Sequence, residues 1–587
     1  MKKIIVTLAS SLLCACSASV AEKPSEQSPE LKKLATNQAI VVTANPHATQ
    51  AGLDVLKAGG SAVDAAMAIQ AVLSLVEPQS SGLGGGGFMT YFDATSKALS
   101  IYDGRETAPS KAHADMFLDD QQQRLPFLKA KHSGLSIGVP GVVSMFELAH
   151  ADHGQLTWGT QFQHAKSLAV NGFKVSPRLN SLISRFGKFL PKSIDQGPVD
   201  AFHYLHNDQG QPLPVGTVIK NQAYADTLDI IADSPRAFYQ GVVAQQIVDQ
   251  VAQAPRQGSL SLEDIRAHKA QKRTALCIDY RENSVCGPQA PSSWVTVGQI
   301  LGLLTYAPSF SSDGADDPLN WSLFAEAQRL AYVDRDRFVA DDNFVEVPNS
   351  GMLNTRYLKE RAALISNKQA SPSVSAGEPW KYNTNDKTAG AFGTDATLDI
   401  AGTTHFVVVD QQGNVVSMTS SVESVFGSGR MAGGMFLNNQ LTDFSFNAKD
   451  KQGRLIANRV EPSKRPRSSM SPTIVLDKNG DFLMATGSPG GSSIIAYNAK
   501  TIVGVLDWGL SPQQAVDLPN MVARRGKVRI EKSRASQSLI DGLKAYGHNV
   551  HESAGENSGF SMVLRKANGE LVGGVDTRRE GTIGVIK

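Results

Sequence analysis

The chain changes character abruptly near residue 400, and this boundary restricts its fold more than any other feature. Residues 366–399 are rich in Ser, Pro, Ala, Gly, Thr and Asn and show little hydrophobic periodicity. Immediately afterwards, residues 403–410 and 415–420 have the composition and alternation of two strands, separated by a turn at 411–414. The sequence therefore predicts a polar linker that runs directly into a strand pair.

Helix patterns and strand patterns occur on both sides of this boundary. The predicted elements are a strand at 39–43, helices at 46–58 and 62–76, a strand at 88–92, mostly helical segments at 140–270 and 318–365, hairpins at 473–485 and 561–576, and an amphipathic helix at 492–508. A length of 587 residues alone suggests roughly four domains of ~150 residues. Helix pairs alternating with strand pairs instead predict stacked helix and sheet layers, an α+β fold.

Glycine is the unusual residue in the composition. The 52 glycines exceed the usual share of ~7%, and four of them form the run Gly84 to Gly87. A nucleotide-binding loop is excluded because the run lacks the Gly-Lys-Ser/Thr ending and follows a helix instead of a strand. We therefore predict that these glycines allow two backbones to pack closely.

Charge and composition exclude several classes of protein. Hydrophobic residues make up 41% and charged residues 19%, as in a globular protein, and the net charge of +2 is too small for a nucleic-acid binder. No stretch beyond residue 30 is apolar enough to span a bilayer. His150, His153 and His164 lie in a polar helical stretch, where we expect solvated histidines and no metal site.

The N-terminus has the features of a targeting segment. Lys2 and Lys3 precede a short apolar stretch, which leads into Leu13-Cys14-Ala15-Cys16. That motif resembles a lipoprotein box and predicts a signal peptide at 1–15, a lipidated Cys16 and a polar tether at 16–38. Because Ser follows the cysteine, we expect an outer-membrane anchor facing the periplasm. Ordinary cleavage after Ser19-Val20-Ala21 is the alternative.

The mature chain is expected to be electrically neutral. Removal of Lys2 and Lys3 with the signal peptide leaves 55 basic residues against 55 acidic ones. Two cysteines remain beyond the targeting segment, Cys277 and Cys286, on two short strand patterns around a Glu-Asn turn. In an oxidising periplasm this pair predicts a disulfide. Two buried free thiols are the alternative, and zinc is not expected because no second Cys/His pair lies nearby.

Gly402-Thr403, at the end of the polar segment, suits a self-cleaving peptide bond. Gly402 has no side chain to shield its carbonyl, and the Thr403 hydroxyl lies next to it. Attack by that hydroxyl would shift the acyl group from nitrogen to oxygen, and hydrolysis would free the Thr403 amine. With a reference pKa near 7.7–8.0, this amine can act as a base for the hydroxyl. An ordinary strand residue is the alternative interpretation of Thr403.

Several separated motifs resemble the γ-glutamyltransferase (glutathione hydrolase) family. They are Gly59 to Ala66, the glycine loop through Phe88, Asp103 to Pro109, Gly402 to His405, Asn438 to Phe444, Lys464 to Thr473 and Gly487 to Ser492. The resemblance runs from about residue 39 to the C-terminus. It implies the N-terminal-nucleophile hydrolase fold, a four-layer αββα sandwich. It also implies a precursor cut into a large subunit (39–402) and a small catalytic subunit (403–587), which form a heterodimer.

The same resemblance assigns the catalytic roles. Thr403 matches the nucleophile, and Ser421 matches the hydroxyl residue that orients the nucleophile's amine, where better-known members have Thr. Gly490 and Gly491 match the oxyanion hole, and glycine there lets main-chain N–H groups approach a developing anion. The implied chemistry needs no cofactor and no metal.

Substrate-binding roles follow in the same way. Arg105, Ser468 and Ser469 match the clamp on the substrate α-carboxylate, which suits a guanidinium with two hydroxyls. Asp443 matches the carboxylate that pairs with the substrate α-ammonium, and Gln440 lies near it. Taken singly, each of these residues also has a structural interpretation, as an ion-pair partner or a local cap.

Three positions or segments depart from the family pattern. Glu423 replaces the usual Asn near the substrate amine, where added negative charge is expected to strengthen ammonium binding or change the amine accepted. The lid segment 445–463 lacks Tyr and Cys, so we expect a more open acceptor site. Trp294 stands where the family usually has Gly.

The motifs predict an enzyme that hydrolyses glutathione and other γ-glutamyl amides or transfers the γ-glutamyl group to an amino acid or peptide. A β-lactam side-chain (cephalosporin or glutaryl) acylase of the same superfamily is the first alternative. Acylase substrates lack the α-ammonium group, so the presence of Asp443 favours a γ-glutamyl donor. A non-catalytic envelope lipoprotein is the second alternative.

Overall fold

A computed structural model describes residues 38–191, 200–253, 255–382, 391–397, 402–554 and 558–587. The predicted signal peptide, the predicted lipidation site at Cys16 and the predicted tether up to residue 37 lie outside the described residues. Across the described ranges, no helix combines the length and the apolar character needed to cross a membrane.

Strands occur throughout the chain and are numbered in chain order. They are β1 (Ala39–Thr43), β2 (Gly86–Phe92), β3 (Leu99–Gly104), β4 (Phe173–Lys174), β5 (Val218–Ile219), β6 (Gln271–Thr274), β7 (Leu276–Tyr280), β8 (Asn283–Gly287), β9 (Thr403–Val409), β10 (Val415–Ser421), β11 (Met431–Ala432), β12 (Met435–Phe436), β13 (Thr473–Leu476), β14 (Phe482–Gly487), β15 (Met521–Arg524), β16 (Lys527–Glu531), β17 (Val550–Ser553), β18 (Ser561–Arg565), β19 (Leu571–Val575) and β20 (Thr582–Ile586).

Helices concentrate before residue 365, as the periodicity predicts. They are α1 (Pro46–Lys57), α2 (Ala62–Val76), α3 (Phe127–Lys131), α4 (Val142–His153), α5 (Gln163–Asn171), α6 (Pro177–Phe186), α7 (Ala201–Leu205), α8 (Gln222–Asp233), α9 (Val242–Val251), α10 (Leu262–Ala267), α11 (Trp294–Tyr306), α12 (Pro318–Phe338), α13 (Asn349–Met352), α14 (Thr355–Ala362), α15 (Ile494–Leu506), α16 (Pro512–Asp517) and α17 (Gln537–Ala545).

Two large antiparallel sheets form the centre of the molecule. The first has the order β20-β1-β9-β10-β2-β3-β6, and the second has the order β19-β18-β14-β13-β8-β7. In the first sheet, β1, β2, β3 and β6 precede residue 402, whereas β9, β10 and β20 follow it. In the second, β7 and β8 precede it and the other four follow. Both sheets therefore combine strands from the two sides of the Gly402-Thr403 bond.

The layers follow from the alternation of side chains along the strands. On β9, Val407 and Val409 belong to the apolar layer between the sheets, whereas Phe406 and Val408 pack under helices. Helices α1, α2 and α4 cover the first sheet, and α11 and α15 cover the second. The α+β fold with four layers in the order αββα is thus confirmed.

The glycine loop packs as predicted, and it packs against the end of β10. A Cβ atom at Gly85 would lie 2.1 Å from the carbonyl oxygen of Ser421, and one at Gly84 would lie 2.3 Å from that of Phe436. Any larger residue would push these backbones apart. The loop therefore fixes the backbone position of Ser421.

The polar segment was predicted to be a linker, and the cysteine pair was predicted to form a disulfide. The described residues of the segment, 366–382 and 391–397, contain a 3₁₀ helix at Pro379–Tyr382 but no strand of either large sheet. Cys277 on β7 lies opposite Cys286 on β8, and the two are joined by a disulfide bond. The alternative of two free thiols is therefore wrong.

Candidate active site

Thr403 and Ser421 form a cross-strand pair at one end of the first sheet. Thr403 is the first residue of β9, Ser421 is the last of β10, and the strand register places them opposite each other. Their hydroxyl oxygens are 3.1 Å apart. Because Thr403 has the same parity on β9 as Val407 and Val409, it lies on the face that is turned towards the second sheet.

The Ser421 hydroxyl also contacts the peptide bond that precedes Thr403. It donates a hydrogen bond to the Gly402 carbonyl oxygen at 2.7 Å, and it accepts one from the Glu423 amide at 2.8 Å. A Cβ atom at Gly402 would lie 2.5 Å from the backbone of Glu423 and Ser424. Only glycine can therefore bring this carbonyl group to Ser421 without displacing the loop after β10.

Two groups behind the pair hold β9 in place. The Arg579 guanidinium is buried and donates to the Thr403 carbonyl oxygen at 2.8 Å and to the Ser558 carbonyl oxygen at 2.9 Å. His405 bonds to Thr419 across the strand pair, and burial lowers its pKa to about 3, so its ring is neutral at pH 7. Sequence motifs gave no indication of Arg579, because it lies far from Thr403 along the chain.

Gly490 and Gly491 precede helix α15. Gly491 begins a 3₁₀ helix (Gly491–Ser493) that continues into α15, and both glycines have positive φ, 142° and 56°. A Cβ atom at Gly490 would lie 2.7 Å from the Tyr497 ring. Main-chain N–H groups at the start of a helix favour negative charge. Gly491 lines the same pocket as Thr403.

Asp443 and Gln440 lie on one 3₁₀ helix, Gln440–Asp443, and form part of the pocket wall. The Gln440 side chain donates to the Asp443 carboxylate at 3.0 Å, and Arg105 donates to the same oxygen at 2.6 Å. Arg105 also donates to the carbonyl oxygens of Pro466 and Arg467. Arg105 therefore lies behind Asp443 and is not part of the pocket lining.

Glu423 adds a second carboxyl group to this wall. Its side chain accepts hydrogen bonds from the Ser424 hydroxyl and the Asn439 amide. Burial, together with the nearby Asp443 charge, raises the pKa of Glu423 to about 8. Lys131 is buried on the other side of Glu423 and donates to the Val425 carbonyl oxygen at 2.9 Å. Burial lowers the pKa of Lys131 to about 8.

The remaining predicted residues meet at the same pocket. Its lining consists of Thr403, Ser421, Glu423, Gln440, Asp443, Ser468, Ser469, Met470, Gly491 and Ile494. The lid segment 445–463 is tied to this wall, because the Asn458 side chain donates to the Asp443 carbonyl oxygen at 2.8 Å. Trp294 is buried in the second helix layer, where its indole N–H donates to Thr473 at 3.1 Å.

The three histidines singled out in the sequence have separate neighbours. His150 contacts Asp64, His153 contacts Tyr102, and His164 contacts Asp54. They are half-buried against these groups, so the prediction of solvated histidines is wrong. Within the described ranges, no cluster of His, Cys, Asp and Glu side chains has a metal-binding arrangement.

Thr403 begins a strand of an αββα sandwich, and the Ser421 hydroxyl contacts both the Thr403 hydroxyl oxygen and the preceding carbonyl oxygen. This arrangement defines an N-terminal-nucleophile hydrolase. The comparison with protein families agrees with this class. The family model described as gamma-glutamyltranspeptidase matches residues 48–586. The chain therefore belongs to the gamma-glutamyltranspeptidase family and is an enzyme.

Relatives of known name cover nearly the whole chain. The chain is 33% identical to a glutathione hydrolase proenzyme of Bacillus subtilis (strain 168), over 96% of this chain and 94% of that one. It is 35% identical to a glutathione hydrolase proenzyme of Escherichia coli (strain K12), over 92% and 90%. A solved structure, the cephalosporin acylase from Bacillus halodurans, superposes with a TM-score of 0.80 at 25% identity, over 93% and 95%.

Proposed function

We propose that this chain is a precursor that cuts its own Gly402–Thr403 bond and then hydrolyses or transfers the γ-glutamyl group of glutathione and related amides. The observation that carries this proposal is the Ser421 hydroxyl, which contacts both the Thr403 hydroxyl and the Gly402 carbonyl oxygen. The names of the Bacillus and Escherichia relatives, both glutathione hydrolase proenzymes, support the substrate and the precursor state.

Self-cleavage begins when the Thr403 hydroxyl oxygen attacks the Gly402 carbonyl carbon. The carbonyl oxygen becomes negatively charged and is stabilised by the Ser421 hydroxyl already bonded to it. The C–N bond then breaks, and the Thr403 nitrogen takes up the proton that the attacking hydroxyl has lost. Water hydrolyses the resulting ester, which leaves a carboxylate on Gly402 and a free amine and hydroxyl on Thr403.

The freed Thr403 is the nucleophile and supplies its own base. Its amine accepts the hydroxyl proton as the oxygen attacks the γ-carbonyl of the donor, and returns a proton to the departing amine. The N–H groups of Gly490 and Gly491 are assigned to the oxyanion. A γ-glutamyl ester on Thr403 remains. Water then releases glutamate, or the amine of an amino acid or peptide takes the acyl group.

The ammonium and the carboxylate on the donor's α-carbon are assigned to different residues of the pocket lining. The ammonium is placed at Asp443, Gln440 and Glu423. The carboxylate is placed at Ser468 and Ser469, and Arg105 stays bonded to Asp443 outside the lining. When the zwitterionic donor binds, its ammonium lies beside the carboxyl groups and its carboxylate lies beside the serine hydroxyls. Each charged group of the donor therefore has a polar partner in the pocket.

Exchanging Asp443 for asparagine should raise the KM of γ-glutamyl donors by about 10², because an ammonium loses its carboxylate partner in a largely buried site. Arg105 loses one of its two carboxylate partners in the same variant, and Glu106 remains at 3.4 Å. The measurement compares γ-glutamyl anilide with glutaryl anilide, which has no ammonium group. A similar loss for both anilides would contradict the assignment of Asp443 to the ammonium.

The pH dependence of donor binding should depend on Glu423. Its carboxyl is mostly protonated below its pKa of about 8 and ionised above it. The donor KM should therefore fall about fivefold to tenfold, relative to the Glu423→Gln variant, as the pH rises from 6 to 9. Lys131→Met removes the positive charge facing Glu423 and should move the midpoint to higher pH. Parallel profiles for the parent and Glu423→Gln would exclude this role.

A β-lactam side-chain acylase is the second candidate function, because a solved structure that superposes over 93% of this chain is a cephalosporin acylase. The parent enzyme separates the two candidates. Faster turnover of glutaryl anilide than of γ-glutamyl anilide would favour the acylase. The reverse order, together with the loss caused by Asp443→Asn, would favour the γ-glutamyl enzyme.

The location and the subunit composition belong to the same proposal. The enzyme is placed in the periplasm, with an outer-membrane anchor if Cys16 is lipidated. It is a heterodimer of residues up to 402 with residues 403–587. Metabolic labelling with a fatty acid, compared between the parent and Cys16→Ser, tests the anchor. Equal labelling of the two would rule out lipidation of Cys16.

A further inference from the structure

We propose that Arg335 is a positioning residue for the donor's α-carboxylate, because it holds the Ser469 hydroxyl in the orientation that donates its proton into the pocket. Arg335 lies on α12 and is fully buried. It does not line the pocket itself. The inference rests on the proposed function and names a residue outside the motifs that support it.

The direction of the hydrogen bond between Arg335 and Ser469 is fixed by chemistry. The Arg335 guanidinium lies 2.6 Å from the Ser469 hydroxyl oxygen, and a guanidinium has donors but no acceptor. Ser469 must therefore accept this bond, and its own proton is left for another partner. The Nε–H group of the same guanidinium donates to the Ser293 hydroxyl at 2.9 Å, and this second bond fixes the plane of the guanidinium.

Ser468 is held in the same way by a different donor. Its hydroxyl oxygen accepts a hydrogen bond from the Met470 amide at 3.1 Å, and an amide N–H can only donate. Within the described part of the chain, neither Ser468 nor Ser469 donates its hydroxyl proton to a protein acceptor. The two neighbouring hydroxyls thus present two protons to the pocket they line.

Two adjacent hydroxyl donors backed by a buried guanidinium suit a planar anion such as a carboxylate. The cation is anchored by Asp336, which accepts from Arg335 at 3.1 Å and from Arg524 at 2.7 Å. Arg105, by comparison, is bonded to Asp443 and to two carbonyl oxygens. The Ser468-Ser469 pair is therefore the part of the clamp that is already oriented before the donor binds.

The test uses two donors that differ only in the α-carboxylate: γ-glutamyl anilide and 4-aminobutyryl anilide. Arg335→Lys should raise the KM for γ-glutamyl anilide about tenfold, with kcat changed less than about threefold, because a charge-assisted bond that orients Ser469 is lost. The KM for 4-aminobutyryl anilide should stay within about twofold of the parent. Equal changes for both donors would overturn the proposal.

A double-variant comparison tests whether Arg335 acts through Ser469. If it does, Arg335→Lys should have little further effect in a Ser469→Ala background, so the effects of the two changes on KM should not multiply. Multiplying effects would mean that Arg335 acts by another route. Ser469→Thr keeps the hydroxyl and should retain most of the affinity. If the Arg335 variants do not fold, the comparison of Ser469→Ala with Ser469→Thr still tests whether the Ser469 hydroxyl binds the α-carboxylate.

Arg361→Lys is a matched control. Arg361 is also a buried arginine that contacts an aspartate of α12, Asp334, but its other bonds are to the Leu330 and Ser375 carbonyl oxygens. It should not change the ratio of the two donors. If the parent does not turn over γ-glutamyl anilide, the proposed function fails. If the parent does and Arg335→Lys is not selective, only the positioning role fails.

Discussion

Replacing Thr403 with alanine is expected to leave a single uncut chain with no measurable turnover of γ-glutamyl donors. The hydroxyl oxygen that attacks the Gly402 carbonyl is the one that later attacks the donor, so its loss stops both reactions. Removal of a nucleophile typically costs about 10⁴-fold or more in rate. A denaturing gel of freshly purified protein measures the cut, and anilide release measures turnover.

Thr403→Ser is the control for this experiment, because it keeps the attacking oxygen and loses only a methyl group. It should give two bands, with slower cutting and reduced activity. The N-terminus of the smaller band from the parent should be Thr403. Two bands from Thr403→Ala, with the smaller band beginning at residue 403, would mean that another protease makes the cut. A single band from the parent would overturn the proposed self-cleavage at Gly402–Thr403.

The second large effect is expected for Ser421→Ala. The Ser421 hydroxyl is 2.7 Å from the Gly402 carbonyl oxygen, where negative charge develops during self-cleavage. Removing a donor of this kind typically slows a reaction by about 10²–10³. The variant should therefore remain largely uncut for hours after purification. Time points on a denaturing gel give the rate of cutting for the variant and the parent.

Ser421→Thr keeps the hydroxyl and should be cut at a rate close to that of the parent, since better-known members of the family have Thr at this position. Unfolding temperatures of Ser421→Ala and the parent should agree within a few degrees, because only one hydroxyl is removed. Normal cutting of Ser421→Ala would show that another group stabilises the oxyanion, and the Ser421 assignment would be wrong.

Local patterns predicted much of the fold. The α2 boundaries at residues 62 and 76 follow from a Ser61 cap and the Glu77-Pro78 stop, and the structure shows a capping box between Ser61 and Asp64. The order of the strands within each sheet could not be predicted from such local patterns. Strand β20, for example, pairs with β1 across nearly the whole chain. Such a pairing leaves no periodic signal in either strand.

In the site, too, some features were predictable from local motifs and others were not. The motifs predicted ten residues, and eight of them line one pocket. Arg105 is in contact with Asp443, although its place behind the pocket wall depends on the packing of Pro466 and Arg467. Lys131, Arg335 and Arg579 were missed. Each is distant in sequence from the site residues that it supports, so only tertiary structure reveals it.

The strand order has a consequence for the processed enzyme. In the first sheet, β1 from before residue 402 lies between β9 and β20 from after it, and the second sheet crosses the same boundary between β8 and β13. The two polypeptides could dissociate only if the hydrogen bonds between their strands were broken in both sheets. Dilution should therefore not dissociate them, and differently tagged samples mixed in native buffer should not exchange partners. If the proposed cut occurs, the two chains are therefore expected to stay together for the lifetime of the enzyme.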